Sequence, residues 1–259
     1  MSNNIIVKNR GGVTVANLSN IDLTITVQDF KKLFLQECED KRTKKLYPAR
    51  IRLTVNDAQG TPLADINAPL SKYTEGPDIT LYYKDLGPQV GWDVVFYVEY
   101  AGPIVMTLLL VCFRESIYGK NPAFTLNQKL GVFMVLLHYV KRELETVFVH
   151  RFSNETMPLS NLFKNSFGYY GLFGFLTMYF YLDPAYTPPA WASERVLYGF
   201  TALFLIFEFL NFQTHLVLKN LRPPGTTERN IPYGWGFGTV SCANYLWETC
   251  AWITFCVQA

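Results

Sequence analysis

From Val196 to Leu218 the chain is apolar almost throughout, and its second half carries Glu208, Asn211 and His215, with Lys219 and Arg222 following as the run ends. A segment this long and this apolar is expected to cross a bilayer, which takes about 20 residues as a helix. Offsets of three and four bring the polar groups to one side of that helix, where such neighbours meet. In hydrocarbon each of these groups is costly unless it faces protein or a water-filled cavity, so the stripe marks a functional site. Past Pro223, Pro224 and Gly225 the chain becomes apolar again and sets Asn244 four residues before Glu248, with Tyr245 beside them. Two membrane helices are therefore expected to line one cavity with their polar faces.

Charge density divides the chain. Charged residues are frequent through about residue 86 and sparse beyond it, which predicts a soluble α+β domain over 1–86 and an all-α, multi-span membrane domain over 87–259. A formal net charge of +2, with no basic patch interleaved with aromatics, gives no sign of a nucleic-acid partner. The five cysteines include no C-x-x-C pair, and three of them lie in the apolar end of the chain. Neither a disulfide framework nor a metal site is indicated. The opening MSNNIIVKNRGG lacks the apolar core of a secretory signal, so membrane targeting is expected from an internal segment.

The first domain reads as β, β, α, β, β. Ile5 to Lys8 and Val13 to Leu18 are β-branched runs separated by Gly11 and Gly12, a hairpin signal. Thr26, with Asp29 three residues on, opens a helix whose apolar face is Val27, Phe30, Leu33 and Phe34. Arg50 to Val55 and Ile79 to Tyr83 alternate like half-buried strands. This order resembles a ubiquitin-like β-grasp domain, and the residues themselves carry no catalytic constellation.

About five transmembrane helices are expected after it: Val90–Phe113, Leu130–Arg151, Leu159–Leu182, Val196–Leu218 and Phe237–Val257. Glu99 lies deep in the first, and Pro103 leaves the Glu99 carbonyl without its helical donor, which predicts a kink. In the second, His138, Arg142 and Glu145 share a face and Lys141 pairs with Glu145 at i, i+4. The third is assigned packing alone. Basic residues in the second and fourth connections, against an acidic third, place the N-terminal domain and the cavity mouth in the cytosol.

The segments EYAGP, HYVKRELETVFVHRFSNETMPLSNLFKN, YTPP, LRPPG and VSCANYLWE, in this order, resemble the very-long-chain trans-2-enoyl-CoA reductases, relatives of the steroid 5α-reductases. The resemblance runs from about Tyr82 to Trp252 and more loosely through the first domain. It implies a multi-pass protein of the endoplasmic reticulum that uses NADPH to saturate the 2,3 double bond of long-chain trans-2-enoyl-CoA in fatty-acid elongation. It further implies Lys141 and Tyr245 as the catalytic pair, and Asn211, His215, Arg222, Asn244 and Glu248 as cofactor contacts. Glu99 and Tyr139 are the implied substrate contacts. His215 departs from the family, which has an acidic residue there.

These residue types suit the chemistry. Hydride addition to the β-carbon of a conjugated thioester builds negative charge on the thioester oxygen and α-carbon, which calls for a proton donor and a positive field. A phenol is a poor acid at neutral pH, and an adjacent ammonium helps it release its proton. Arg222 suits a nucleotide phosphate and Asn244 a nicotinamide carboxamide or ribose. Acyl-CoA and membrane lipids are the implied partners. Family members continue past the position of Ala259 with a further hydrophobic segment and a basic, aromatic tail. A second reading therefore stays open: a retired reductase kept as a structural, lipid-binding subunit of a larger membrane complex, for instance in the mitochondrial inner membrane.

Overall fold

A computed structural model of the chain describes residues 3–152, 155–221 and 230–259, which form two units. One comprises the residues up to Val90 together with Glu155–Leu159, and the other the remaining helical part.

The first unit is built on β1 (Asn3–Lys8), β2 (Thr14–Ile21), α1 (Val27–Glu37), β3 (Ile51–Val55) and β4 (Asp78–Asp85). The strands lie in the order β2-β1-β4-β3, with β1 and β4 parallel in the middle and both outer pairs antiparallel. Alternation in β1 buries Ile5 and Val7 and turns Asn4 and Ile6 outward, as a one-sided sheet requires. Against the inner face packs α1 through Val27, Phe30 and Phe34, and Leu53, Leu70, Ile79 and Leu81 complete the core. The helix starts where its cap dictates: the Thr26 hydroxyl oxygen accepts from the Asp29 amide at 3.1 Å. In the β1–β2 hairpin Gly12 has φ +80°, and Asn9 Oδ1 accepts from the Gly11 amide at 2.9 Å. A short pair, β5 (Gln89–Gly91) with β6 (Thr156–Pro158), forms a separate two-stranded sheet.

In the second unit α2 (Trp92–Cys112), α3 (Arg114–Tyr118) and α4 (Leu126–Phe148) are followed by α5 (Leu159–Ser166), a π-helix (Phe167–Thr177) and α6 (Met178–Tyr181). Then come α7 (Glu194–Asn220) and α8 (Ala243–Gln258). Contacts concentrate between α7 and α8, between α2 and α4, and between α2 and the π-helix. Thr125 and Gln128 close a reciprocal capping box, which starts α4 at Leu126, earlier than the apolar run alone predicts. Pro103 sits inside α2, which continues through it to Cys112. The helix expected from Phe237 begins instead at Ala243, because Gly234, Trp235 and Gly236 all take positive φ and turn the backbone first.

Among the described residues, two helices are long and apolar enough to cross a membrane, α2 and α7. The segment expected over Leu159–Leu182 is divided among α5, the π-helix and α6, and α4 carries Lys141, Arg142, Glu143 and Glu145 in its second half. Apolar side chains are abundant on the outside of this unit, Val105, Leu108 and Leu109 on α2 and Leu203, Leu205 and Ile206 on α7. Inside lie Met134, Val135, Met178, Phe204 and Phe255, together with the buried polar stripe.

Candidate functional site

The polar face of α7 meets polar faces of α4 and α8. Glu208 and Asn211 are buried, as are His138, Arg142 and Glu145 on α4, so the three-and-four spacing does gather these groups inside the unit. A buried charge is tolerated only when paired, and each of these has a partner. His138 Nδ1 lies 2.8 Å from Glu208 Oε1, and Lys141 Nζ is 2.7 Å from Glu208 Oε2. The ammonium also donates to Asn211 Oδ1 at 2.5 Å and sits 3.8 Å from Glu145 Oε1. Arg142 donates through Nη1 to Glu145 Oε2 at 2.6 Å and through Nη2 to the Tyr100 hydroxyl at 2.7 Å. His215 Nδ1 is 3.0 Å from Glu145 Oε2 and 3.1 Å from Arg142 Nη1, so this nitrogen either donates to the carboxylate or accepts from the guanidinium.

Beside this network opens a cavity of about 540 Å³. Phe96, Glu99 and Tyr100 enter it from α2, Arg142 from α4 and Tyr169 from the π-helix. His215 and Lys219 of α7, and Asn244, Tyr245 and Glu248 of α8, form further walls, with His150, Arg151 and Phe152 at the chain leaving α4. Phe96, His150 and Phe152 make an aromatic cluster, Phe96 and Phe152 stacking at 5.3 Å. The volume lies within the usual range for small-molecule sites, and the lining combines aromatic faces with cations and amides. Glu99 Oε1 is buried there without a hydrogen-bond partner among the described residues.

Of the residues expected at the site, Glu99, His215, Asn244, Tyr245 and Glu248 line this cavity. Asn211 is wholly buried behind it and donates through Nδ2 to the Asn244 carbonyl at 2.9 Å. Lys141 and Tyr245 are joined by this route, ammonium to Asn211 to the backbone preceding Tyr245; among the described residues no hydrogen bond links them directly. Tyr245 is 64% exposed. Tyr139 is not on the cavity wall but buried among the rings of Tyr100, Tyr169, Phe173 and Trp252. Arg222 lies outside the described residues. Sequence reasoning passed over Tyr100, Tyr169 and His150; Tyr100 adjoins Glu99, but no 3.6-residue period points Tyr169 inward, because its backbone is wound as a π-helix.

Glu145, His150 and His215 have ligand atoms within 4.8 Å of one another. The Glu145 oxygen nearest His215 already accepts from Arg142, a charge that any metal cation would have to displace, so the trio fits a metal poorly.

A family model described as 3-oxo-5-alpha-steroid 4-dehydrogenase matches residues 155–259, the part of the chain that holds α5 to α8. The very-long-chain enoyl-CoA reductase of Dictyostelium discoideum is 39% identical over 258 residues, 97% of this chain and 82% of that protein. A Caenorhabditis elegans protein named probable very-long-chain enoyl-CoA reductase is 38% identical over 94% of this chain and 80% of its own length. The trans-2,3-enoyl-CoA reductase-like protein of Mus musculus is 31% identical over 93% of this chain and 67% of its own. The chain belongs to the enoyl-CoA reductase family of the steroid 5α-reductase superfamily.

Proposed function

We propose that this protein reduces the 2,3 double bond of long-chain trans-2-enoyl-CoA with NADPH, the reductive step of fatty-acid elongation. The observation that carries this reading is the convergence of Glu99, Tyr100, Arg142, Tyr245 and Glu248, from three helices, on one cavity. The cavity suits a nicotinamide nucleotide: Lys219, Arg151 and Arg142 supply positive charge for phosphates, Asn244 an amide, and Phe96 and Phe152 aromatic faces. When bound, the reduced nicotinamide supplies the hydride for the β-carbon.

The chain's own groups deal with the charge that follows. Arg142, fixed by Glu145 and the Tyr100 hydroxyl, holds a positive field at the cavity wall that favours negative charge on the thioester oxygen. Tyr245, at the start of α8, donates the proton that completes the α-carbon. Lys141 acts on it through Asn211 and the Asn244 backbone. His215, Arg222, Asn244 and Glu248 serve the cofactor, Asn211 serves it from behind by holding the Asn244 backbone, and Glu99 faces the thioester, with Tyr139 supporting that wall from behind. The ring cluster of Tyr139, Phe173 and Trp252 keeps water from the reacting atoms.

On this reading the four-stranded unit is a ubiquitin-like β-grasp domain, supported by its parallel central pair and the helix between β2 and β3. α4, the α5-to-α6 segment and α8 join α2 and α7 as five spans of a multi-pass protein of the endoplasmic reticulum, in contact with acyl-CoA and membrane lipids. The reductase names of the relatives support catalysis over a purely structural role in a membrane complex.

The test is cofactor oxidation by the purified chain with trans-2-hexadecenoyl-CoA and NADPH. Turnover is expected, with Tyr245→Phe lowering kcat by about 10²–10⁴, the usual worth of a positioned acid. No oxidation by the wild type would overturn the reductase reading; equal rates for the two proteins would remove Tyr245 as donor and leave the reduction standing.

A further inference from the structure

His138 and Glu208 are buried ionisable groups for which the reduction so far has no use, and their placement is specific. The imidazole stands between two carboxylates: Nδ1 is 2.8 Å from Glu208 Oε1 and Nε2 is 3.8 Å from Glu248 Oε1. Glu208 is sealed in the interior, with its other oxygen 2.7 Å from the Lys141 ammonium. Glu248 is partly open, its side chain 27% exposed, and lines the cavity. One helical turn before it on α8, Tyr245 lines the same cavity. Residues three apart on a helix are neighbours, so the phenol and the Glu248 carboxylate share one face. The side chains thus run in order from a sealed, lysine-neutralised carboxylate through an imidazole to an open carboxylate and a phenol.

The imidazole has a carboxylate facing each of its ring nitrogens, a geometry suited to passing a proton between them. The groups facing it and its partners are Tyr139, Lys141, Arg142 and Glu145 on α4, Glu208 and His215 on α7, Glu248 on α8, Tyr100 on α2 and Tyr169 on the π-helix. Among the groups in ion-pair contact around the imidazole, three carboxylates, Glu145, Glu208 and Glu248, stand against two permanent cations, Lys141 and Arg142. One added proton balances them. His215 shares its Nδ1 contact between Glu145 and the Arg142 guanidinium, whereas His138 faces carboxylates at both ring nitrogens. Uncompensated buried charge is expensive, so the balanced state is the stable one.

We propose that His138 is the proton reservoir of the cavity and Glu208 the positioning residue that orients it. Glu208 fixes the ring as the buried acid of a catalytic triad fixes its histidine, holding the proton-bearing Nε2 toward Glu248. During turnover the Tyr245 hydroxyl gives its proton to the substrate α-carbon, where a bound reduced nicotinamide would supply the hydride to the β-carbon. His138 Nε2 then passes its proton to the Glu248 carboxylate, across a gap that a rotation of this open side chain closes, and the carboxyl so formed gives that proton to the phenolate. When product leaves, Glu248 reloads the imidazole from solvent. Each cycle moves one proton from water to product and restores every side chain.

This inference rests on the reductase reading, and the same assay separates the two. With trans-2-hexadecenoyl-CoA and NADPH, His138→Gln is expected to lower kcat by about 10²-fold, the lower end for a proton-transfer group, with KM unchanged. It is also expected to raise the solvent deuterium isotope effect on kcat, because reprotonation becomes limiting. His138→Ala should be partly restored by added imidazole, and Glu208→Gln should shift the pH profile of kcat. A wild-type rate and pH profile in both His138→Gln and Glu208→Gln would overturn the reservoir while leaving the reductase intact. So would a loss of rate with unchanged isotope effect, unchanged pH profile and no response to imidazole, which is what a packing role produces. Should the variants fail to fold, the wild-type proton inventory decides: a curved dependence on deuterium fraction supports several protons in flight, and a linear one overturns the relay. An inactive wild type would instead remove the reductase reading itself.

Discussion

In the sheet unit the interior is apolar apart from a few hydroxyl and amide side chains and the charges form the rim, whereas in the helical unit Arg142, Glu145, Glu208 and His138 share the interior with the apolar core. Lys31 is the exception in the sheet unit among the described residues; burial holds its ammonium below the ordinary lysine range. The difference follows from solvent. Water around the sheet drives Phe30, Phe34 and Leu81 inward, while an apolar medium around α2 and α7 gives Leu108 and Ile206 no such drive. What then fixes which face of a helix points inward is the need to pair charge, so in the helical unit specificity and site are the same residues.

The largest effects should exchange places between the units. Glu145→Ala leaves Arg142, Lys141 and His215 without the carboxylate they share, and breaking such a buried set typically costs about 3–5 kcal/mol. Phe30→Ala opens a cavity under the sheet of comparable consequence, about 3–5 kcal/mol. The five tryptophans all fall in the helical unit, so their fluorescence on heating reports it, while hydrogen exchange of β1 and β4 amides reports the sheet. Glu145→Ala is expected to lower the fluorescence transition and spare exchange in the strands; Phe30→Ala should do the opposite. A fluorescence transition unmoved by Glu145→Ala would mean that charge pairing does not organise the helices.

The same contrast explains what could be read in the sequence. Period-two alternation in β3 and β4 and the Thr26 cap on α1 are local signals in water, and they located the sheet unit's elements closely. In the helical unit His138, Arg142 and Glu145, four and three apart, disclosed a polar face that the structure does bury. Tyr139 lies one residue, about 100°, around the helix from His138, and it is packed among rings away from the cavity. Tyr169 reaches the cavity through π-helical winding, which no regular period encodes. The start of α8 at Ala243 follows from positive φ at Gly234, Trp235 and Gly236, and a Trp in that conformation is not legible from sequence. The polar walls of the cavity were legible in the sequence, and of its aromatic lining Tyr245 alone was.

A middle-sized effect tests close packing in the helical unit without touching charge. Gly131 of α4 lies against the Tyr181 ring, and a Cβ there would overlap its hydroxyl. That hydroxyl sits 2.6 Å from both the carbonyl and the side-chain oxygen of Asn127, so it has little room to yield. Gly131→Ala is expected to destabilise by about 1–3 kcal/mol, as overpacking does, with the catalytic rate at low temperature preserved. The fluorescence transition should fall by less than for Glu145→Ala. A fall as large or larger would place the helical unit's stability in its packing and erase the contrast.

The smallest effect belongs to the charged rim of the sheet. Arg50 grips Asp85 across β3 and β4, Nε to Oδ1 at 2.8 Å and Nη2 to Oδ2 at 2.5 Å, and the Gly87 amide adds a third bond at 2.9 Å. The Arg50 hydrogen bonds, then the Gly87 amide, hold the Asp85 carboxyl below the ordinary carboxylate range despite partial burial. A carboxyl depressed on folding adds stability at pH above its unfolded value and loses it as pH falls through the folded one. The contribution is therefore complete at neutral pH and disappears only in acid. Both side chains are solvent-accessible, so screening keeps it slight. Asp85→Asn should raise exchange of the β3 and β4 amides a little at neutral pH, less in high salt, and should flatten the acid-side change that the wild type shows. An effect of Asp85→Asn rivalling Glu145→Ala would mean that ion pairs count equally in both units, contrary to an interior and a rim chosen by opposite solvents.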